Sequence, residues 1–235
     1  MSQDRIYSVP LSHVGDFEFD DAVADVFPDM IRRSVPGYST MLSMIGQTAH
    51  QFSVKETRVY DLGCSLGAGT ILLDQHAAQD CRVIAVDNSE AMVTRLKTRQ
   101  FSRTEVILQD IRETEIRNAS LVVLNLTLQF LPPAERTKVI QRIADGMIEK
   151  GALLLSEKIC FDNPEQQDLM TKLHHEFKRA HGYSDLEIAQ KRTAIENRLV
   201  PETIETHTSR LEKAGFRSVT PWFQCFTFAS ILAIR

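Results

Sequence analysis

The apolar positions of this chain fall into two rhythms. From Asp20 to about Arg33, Val23, Val26, Phe27, Met30 and Ile31 recur at helical spacing, which predicts a helix capped by Asp20. Pro28 sits inside that pattern and predicts a kink. Val35-Pro36-Gly37 signals a turn, and Tyr38 to Phe52 predicts a second helix whose apolar set is Met41, Leu42, Met44 and Ile45. After residue 52 the rhythm changes to short apolar runs alternating with helical patterns. Strands are predicted at about 57–61, 81–86, 105–109 and 121–126, with helices at 68–79, 89–100 and 134–150 between and after them. Leu121 to Leu126 is uninterruptedly apolar, as a strand buried on both faces must be. Pro132-Pro133 opens the helix that Gly151 stops, and a fifth strand follows at 152–157.

The alternation then pauses. Residues 163–199 are polar and mostly helical, an insertion of about 37 residues. A helix at 202–214 ends at Gly215, and two strands close the chain at about 217–222 and 225–233. No helix separates them, so they are expected to pair antiparallel. The sum is an α/β, Rossmann-like fold with a mostly parallel seven-stranded sheet and a terminal antiparallel hairpin, the sheet of class I S-adenosylmethionine (SAM)-dependent methyltransferase folds. One domain over 1–235 is expected, with residues 20–52 as a helical cover over the ligand pocket. Residues 1–19 read as irregular, anchored by Phe17 and Phe19.

Composition narrows the setting. The net charge of −4 argues against a broad nucleic-acid face. The cysteines, Cys64, Cys81, Cys160 and Cys225, are far apart with no C-x-x-C pair, which reads as reduced thiols in the cytoplasm rather than a disulfide framework or zinc site. MSQDRIYSVP has no apolar core and is not read as a signal peptide. No apolar run approaches the ~18 residues of a membrane span.

The candidate chemistry centres on VYDLGCSLGAGT, residues 59–70. A strand ends at Asp61, and Gly63, Gly67 and Gly69 space a tight turn into a helix. Glycine supplies positive φ or a backbone that a ligand can approach, and the helix start offers unpaired N–H groups. The order Gly63-x-Ser65-x-Gly67-x-Gly69 behind Asp61 fits the D-x-G-x-G-x-G loop of SAM enzymes better than the dinucleotide pattern. Asp87 ends the next strand and can accept from both ribose hydroxyls. Asn88 follows Asp87 at the same strand end, and the other strand ends supply Asp110 and Ile111 for adenine, Asn125 for the methionine part, and Glu157. Tyr38 is placed to enter the pocket from the cover. Cys64 has no His near it in sequence, so the plain reading is a small residue in a tight loop, not a nucleophile. His174, His175 and His181 lack the H-E-x-x-H spacing, so no metal is expected. Lys191, Arg192 and Arg198 read as a solvated face of the insertion.

Several segments carry a resemblance. FEFDDAVADVFPDMIRRSVPGY (17–38), YDLGCSLGAGT (60–70), AVDNSEAMV (85–93), LNLTLQFLPPAER (124–136), KRTAIEN (191–197) and WFQCFTFAS (222–230) make the chain resemble the carboxy-S-adenosyl-L-methionine synthase family over essentially its full length. The resemblance implies an enzyme that turns SAM and prephenate into carboxy-SAM and phenylpyruvate. Its product supplies a partner enzyme that carboxymethylates the wobble uridine of certain tRNAs. It further implies that Tyr38, Gly63, Cys64, Ser65, Asp87, Asn88, Asp110, Ile111 and Asn125 contact carboxy-SAM. Arg192 would pair with the new carboxylate, reaching in from the neighbouring subunit of a homodimer. Arg192 and Tyr38 are the catalytic candidates. No metal, membrane or direct nucleic-acid contact is implied. Two other readings share the nucleoside loop: an ordinary SAM-dependent methyltransferase, and a non-catalytic SAM-binding partner of a tRNA-modifying enzyme.

Overall fold

A computed structural model describes residues 2–196 and 198–235; Asn197, the last residue of the KRTAIEN segment, lies outside them. Two helices come first, α1 (Asp21–Ser34) and α2 (Tyr38–Phe52). Asp20 caps α1 by accepting a hydrogen bond from the Val23 amide, and Pro28 lies within that helix. Gly37 turns the chain into α2 with φ of 76°, and the Phe223 ring occupies the space a Cβ there would need.

The expected alternation follows: β1 (Arg58–Leu62), α3 (Ala68–His76), β2 (Arg82–Asp87), α4 (Glu90–Lys97), β3 (Thr104–Leu108), β4 (Ala119–Asn125), α5 (Pro133–Gly146) and β5 (Met147–Lys158). The insertion forms α6 (Pro164–Ala180) and α7 (Asp185–Glu196). The chain closes with α8 (Ile204–Lys213), β6 (Ser218–Cys225) and β7 (Phe228–Ile234). The seven strands form one sheet in the order β3-β2-β1-β4-β5-β7-β6. β1 to β5 run parallel, and β7 pairs antiparallel with both β5 and β6. The strand order reverses between β1 and β4, so the crevice beyond their carboxyl ends is where such a sheet takes a ligand.

Alternation along the strands divides the core. Val59, Val83, Leu121, Val123 and Leu154 pack with Ile45 and Ala49 of α2 and Leu73 of α3. Tyr60, Leu62, Val86, Val122, Leu124 and Leu155 face the other way, onto Val139, Ile140 and Ile143 of α5 and Leu211 of α8. Each β4 side chain is thus covered, which explains its unbroken apolar run.

Several features depart from the sequence reading. Helix α5 stops at Gly146, not near Lys150, and β5 starts at once with Met147 paired to Ala119. A Cβ on residue 146 would lie 2.2 Å from the Ile116 carbonyl oxygen, so glycine permits this close passage. The final hairpin turns at 226–227, later than expected, with Cys225 opposite Phe228. A single 3-10 turn, Leu128–Phe130, was not anticipated.

The expected solvated face of the insertion is also corrected at Lys191, which is buried. Its ammonium lies 3.5 Å from the Asp4 carboxylate and 3.0 Å from the Ser34 hydroxyl. The first residues of the chain therefore do more than anchor two phenylalanines. Asp4 also accepts from the Tyr183 hydroxyl, and Arg33 of α1 lies 3.8 Å above the Tyr183 ring while donating to the His181 carbonyl at 2.7 Å. Gln190 of α7 donates to the Tyr7 and Val9 carbonyls. These bonds join the N-terminal segment, α1 and the insertion. A buried charge such as Lys191 is tolerable because its acid is buried with it.

Candidate functional site

The glycine turn after β1 folds against the end of β2. The Gly63 and Cys64 amides both donate to the Val86 carbonyl, at 2.8 and 3.0 Å, and the Gly67 amide closes the turn onto Cys64. Gly63 and Gly67 hold φ of 82° and 80°. A Cβ at Gly63 would meet the Thr127 side chain at 2.3 Å, and one at Gly67 would meet Leu96 at 2.3 Å. The turn after β1 and the loop after β4 therefore touch through a glycine. Ser65, with φ of 50°, and Leu126, with φ of 62°, are non-glycine residues held in the left-handed region beside this crevice.

Asp87 anchors the turn. Its carboxylate accepts from the Ser65 amide at 2.8 Å and the Ser89 amide at 2.9 Å, and Ser89 in turn caps α4 through the Met92 amide. Each carboxylate oxygen has a second lone pair, so two ribose hydroxyls can still be served. Burial raises the Asp87 carboxyl, and the amides of Ser89, Ser65 and Asn88 pull it back down. Asp61, buried under the turn, accepts from the Thr70 hydroxyl at 2.6 Å, and desolvation pushes its carboxyl up to about 6.

Tyr38, at the start of α2, lies within electrostatic reach of Asp61; burial and that carboxylate push its phenol well above the ordinary range. It is therefore a neutral hydrogen-bond donor. Cys64 is buried, and desolvation followed by the two nearby carboxylates drives its thiol up, so a nucleophilic thiolate is not formed there. Asn125 ends β4 with a buried side-chain oxygen that has no hydrogen-bond partner among the described residues. Such an oxygen has lone pairs free to accept a hydrogen bond.

Asp110 and Ile111 sit past the end of β3. Asp110 is held by Arg112, with the closest contact at 2.7 Å, and this pair keeps its carboxyl below the usual range. The Ile111 side chain is buried in the core, while the Arg112 amide donates to the Asp110 carboxylate and the Glu113 amide to the Asp110 carbonyl; among the described residues the Ile111 amide makes no such bond.

Arg192 stands apart from these residues. Its side chain on α7 is 66% exposed and pairs with Glu196 at 4.0 Å. It borders an open groove of about 570 Å³ with His175, Arg179 and Asp185. Asp61, Asp87 and Asn125 share one face of the sheet with Lys158, since Asp61 is in register with Ala85, two residues before Asp87, and Asn125 with Ser156, two residues before Lys158. Among the described residues no cluster of three or more His, Cys, Asp or Glu could hold a metal ion.

Sequence reasoning gave Glu157 a place but no task. Its buried carboxyl accepts from the Leu128 and Gln129 amides at 2.9 and 2.7 Å, fixing the 3-10 turn that follows Thr127. Gln129 in turn accepts from the Lys158 amide at 2.7 Å. Arg136 is fully buried, pairs with Glu202 at 2.6 Å and donates to the Gln129, Leu131 and Val200 carbonyls, tying the end of the insertion to this turn. Desolvation pushes the Glu157 carboxyl up to about 8. Because that value exceeds the unfolded one, the stability Glu157 contributes is full below about 4.5 and is lost as pH rises through about 8. Relative to Glu157→Gln, the native protein should lose on the order of 3 kcal/mol between pH 5 and 8. Denaturant melts of both proteins at the two pH values measure this, and a pH-independent difference would show that Glu157 is ionised throughout.

The comparisons with known proteins agree with this geometry. A methyltransferase domain model matches residues 59–151, from β1 into β5. Among solved structures, the magnesium protoporphyrin IX methyltransferase of Synechocystis with bound SAH superposes with a TM-score of 0.58 at 18% identity, covering 94% of this chain and 89% of that one. An O-methyltransferase family protein from Burkholderia thailandensis gives 0.61 at 18% identity, over 92% of this chain and 60% of that one. These likenesses speak to the fold, a Rossmann-like class I SAM-dependent methyltransferase fold. The curated relatives are nearer. The carboxy-S-adenosyl-L-methionine synthases of Vibrio atlanticus and Trichlorobacter lovleyi are each 51% identical over 99% of this chain and 98% of their own length. With that identity carried from end to end, the chain belongs to the carboxy-S-adenosyl-L-methionine synthase family.

Proposed function

We propose that the chain converts SAM and prephenate to carboxy-SAM and phenylpyruvate, and that its product feeds a carboxymethyltransferase acting on the wobble uridine of tRNA. The observation that carries this is the full-length identity to the synthases, joined to a nucleoside crevice whose residues fit SAM. Asp87 takes the ribose, the Ile111 amide and Asp110 take adenine, and Asn125 meets the methionine part. Gly63, Cys64, Ser65 and Asn88 line the nucleoside with backbone. Tyr38 closes the pocket from α2 as a donor. The cover, the crevice and the insertion act as one domain.

The reaction balances without a redox partner. Prephenate loses its ring carboxylate as CO2 and its hydroxyl as hydroxide, leaving phenylpyruvate. The hydroxide takes a proton from the SAM methyl group and becomes water. The resulting sulfonium ylide attacks CO2, forming the new carbon–carbon bond of carboxy-SAM. A cation beside the methyl carbon repels the sulfonium but attracts the developing carbanion and then the carboxylate. Arg192 has that role in this reading. Its exposure suits an arginine offered to a second copy of the chain, as a homodimer would use it. No helix of the described residues is long and apolar enough to cross a membrane, and we place the protein in the cytoplasm without direct contact to tRNA.

Purified protein given SAM and prephenate should yield phenylpyruvate and a nucleoside heavier than SAM by one CO2, read by mass spectrometry. A methylated acceptor, or no new nucleoside, overturns the reading in favour of a methyltransferase or a bystander.

A further inference from the structure

The carboxyl edge of the sheet is electrically divided. Asp61 and Asp87 sit at the ends of β1 and β2, while Lys158 ends β5 on the same face. Lys158 lies directly opposite Phe228 of β7, and residues so paired share a face. His174 of α6 packs edge-on against that Phe228 ring, with centroids 5.1 Å apart. Lys178 is one helical turn further along α6, so it lies on the side of the helix that His174 presents. Phe228 also shares an apolar cluster with Tyr38 and with Leu126, the residue after Asn125. The two lysines thus border the SAM crevice on its β5 side.

Neither lysine has a carboxylate partner among the described residues. The ion pairs of the insertion are made by other residues: Arg179 with Glu176 and Asp185, Lys191 with Asp4, and Arg192 with Glu196. Both lysines are half-buried. Desolvation, then the cations Lys191, Lys158 and Arg192, pull Lys178 down to about 7, and desolvation with Arg192 lowers Lys158. His174 cannot relieve this: its ring nitrogen meets the Ser34 carbonyl at 2.7 Å, and burial pushes it down to about 3, so it stays neutral. Two half-buried amines within electrostatic reach of each other and lacking an acid among the described residues are held back from carrying charge until an anion joins them.

We propose that Lys158 and Lys178 form the carboxylate anchor of the second substrate, a small dicarboxylic acid bound beside the nucleoside. Naming that acid prephenate rests on the reaction assigned above; the anion site itself does not. The division of the edge explains how one crevice takes both substrates. The acids on β1 and β2 serve the nucleoside and the cationic end of SAM, and the lysines on β5 and α6 serve the dianion. One prephenate carboxylate is held at the lysines while the ring carboxylate is left to reach the methyl carbon. Arg192 then acts on the carboxylate that forms, and the lysines act on the one that stays.

The test compares Lys158→Met and Lys178→Met with the native protein. Each should raise KM for prephenate roughly 10- to 100-fold, the loss of one charge-assisted hydrogen bond. SAM affinity, titrated alone, should stay within about threefold, and Lys178→Arg should recover most of the loss. Prephenate titrated in the absence of turnover reads the anchor separately from the chemistry. If the native protein turns over and the variants keep its prephenate KM, the anchor is wrong and the reaction stands. If the native protein shows no turnover but binds prephenate through the lysines, the reaction is wrong and the anchor stands. Equal loss of SAM and prephenate affinity overturns the anchor, since the lysines would then hold the nucleoside. Should Lys158→Met fail to fold, Lys178→Met on the face of α6 reads the same site.

Discussion

Asp87→Ala should lower kcat/KM for SAM by roughly three orders of magnitude. Two hydrogen bonds from ribose hydroxyls to one carboxylate are charge-assisted, and such bonds contribute about 1.5–3 kcal/mol each. Losing both corresponds to between about a hundredfold and ten-thousandfold in affinity. A second effect points the same way. The carboxylate also holds the Ser65 amide at 2.8 Å and the Ser89 amide at 2.9 Å, so its removal loosens the turn that receives the nucleoside. Asp87→Asn keeps one acceptor oxygen and should fall between the two. Thermal melts without ligand separate loss of the site from loss of the fold. A variant that melts like the native protein and binds SAM within threefold of it would place the nucleoside elsewhere.

Arg192→Ala should weaken carboxy-SAM binding by about 10- to 150-fold, the 1.5–3 kcal/mol of a bidentate arginine–carboxylate pair, while SAM binding changes little. The asymmetry follows from charge. SAM presents a methyl on a positive sulfonium, which an arginine does not help, and carboxy-SAM presents an anion at the same carbon. Equal loss for both ligands would favour an ordinary methyltransferase. Mixing Arg192→Ala with Asp87→Ala tells which subunit supplies the arginine. Activity regained on mixing requires that one chain's Arg192 serve the other chain's nucleoside site, and no recovery means each chain uses its own.

The sequence made the sheet and its carboxyl edge legible because both depend on local signals. An apolar run buried on both faces, Asp20 as a cap, and glycines where φ is positive or a neighbour leaves no room for a Cβ are readable one element at a time. The glycine turn and Asp87 fall together in space because β1 and β2 are adjacent and parallel. What stayed hidden depends on distant partners. Lys191 looked solvated because its acid, Asp4, is 187 positions away in a segment with no periodicity. Glu157 looked like one more strand-end acid until the turn over Leu128 and Gln129 came to lie above it. Helix α5 ends at Gly146, which passes against the Ile116 carbonyl, a contact no local pattern announces. Lys158 and Lys178 lie in different elements, and only the β5–β7 pairing and the packing of His174 on Phe228 bring them to one edge.

The most direct test of the account follows one carbon atom. Prephenate isotopically labelled in its ring carboxylate, incubated with the native protein and SAM, should pass the label into carboxy-SAM and leave phenylpyruvate unlabelled. Carboxy-SAM formed without the label, or a labelled prephenate that survives beside a methylated acceptor, would contradict it.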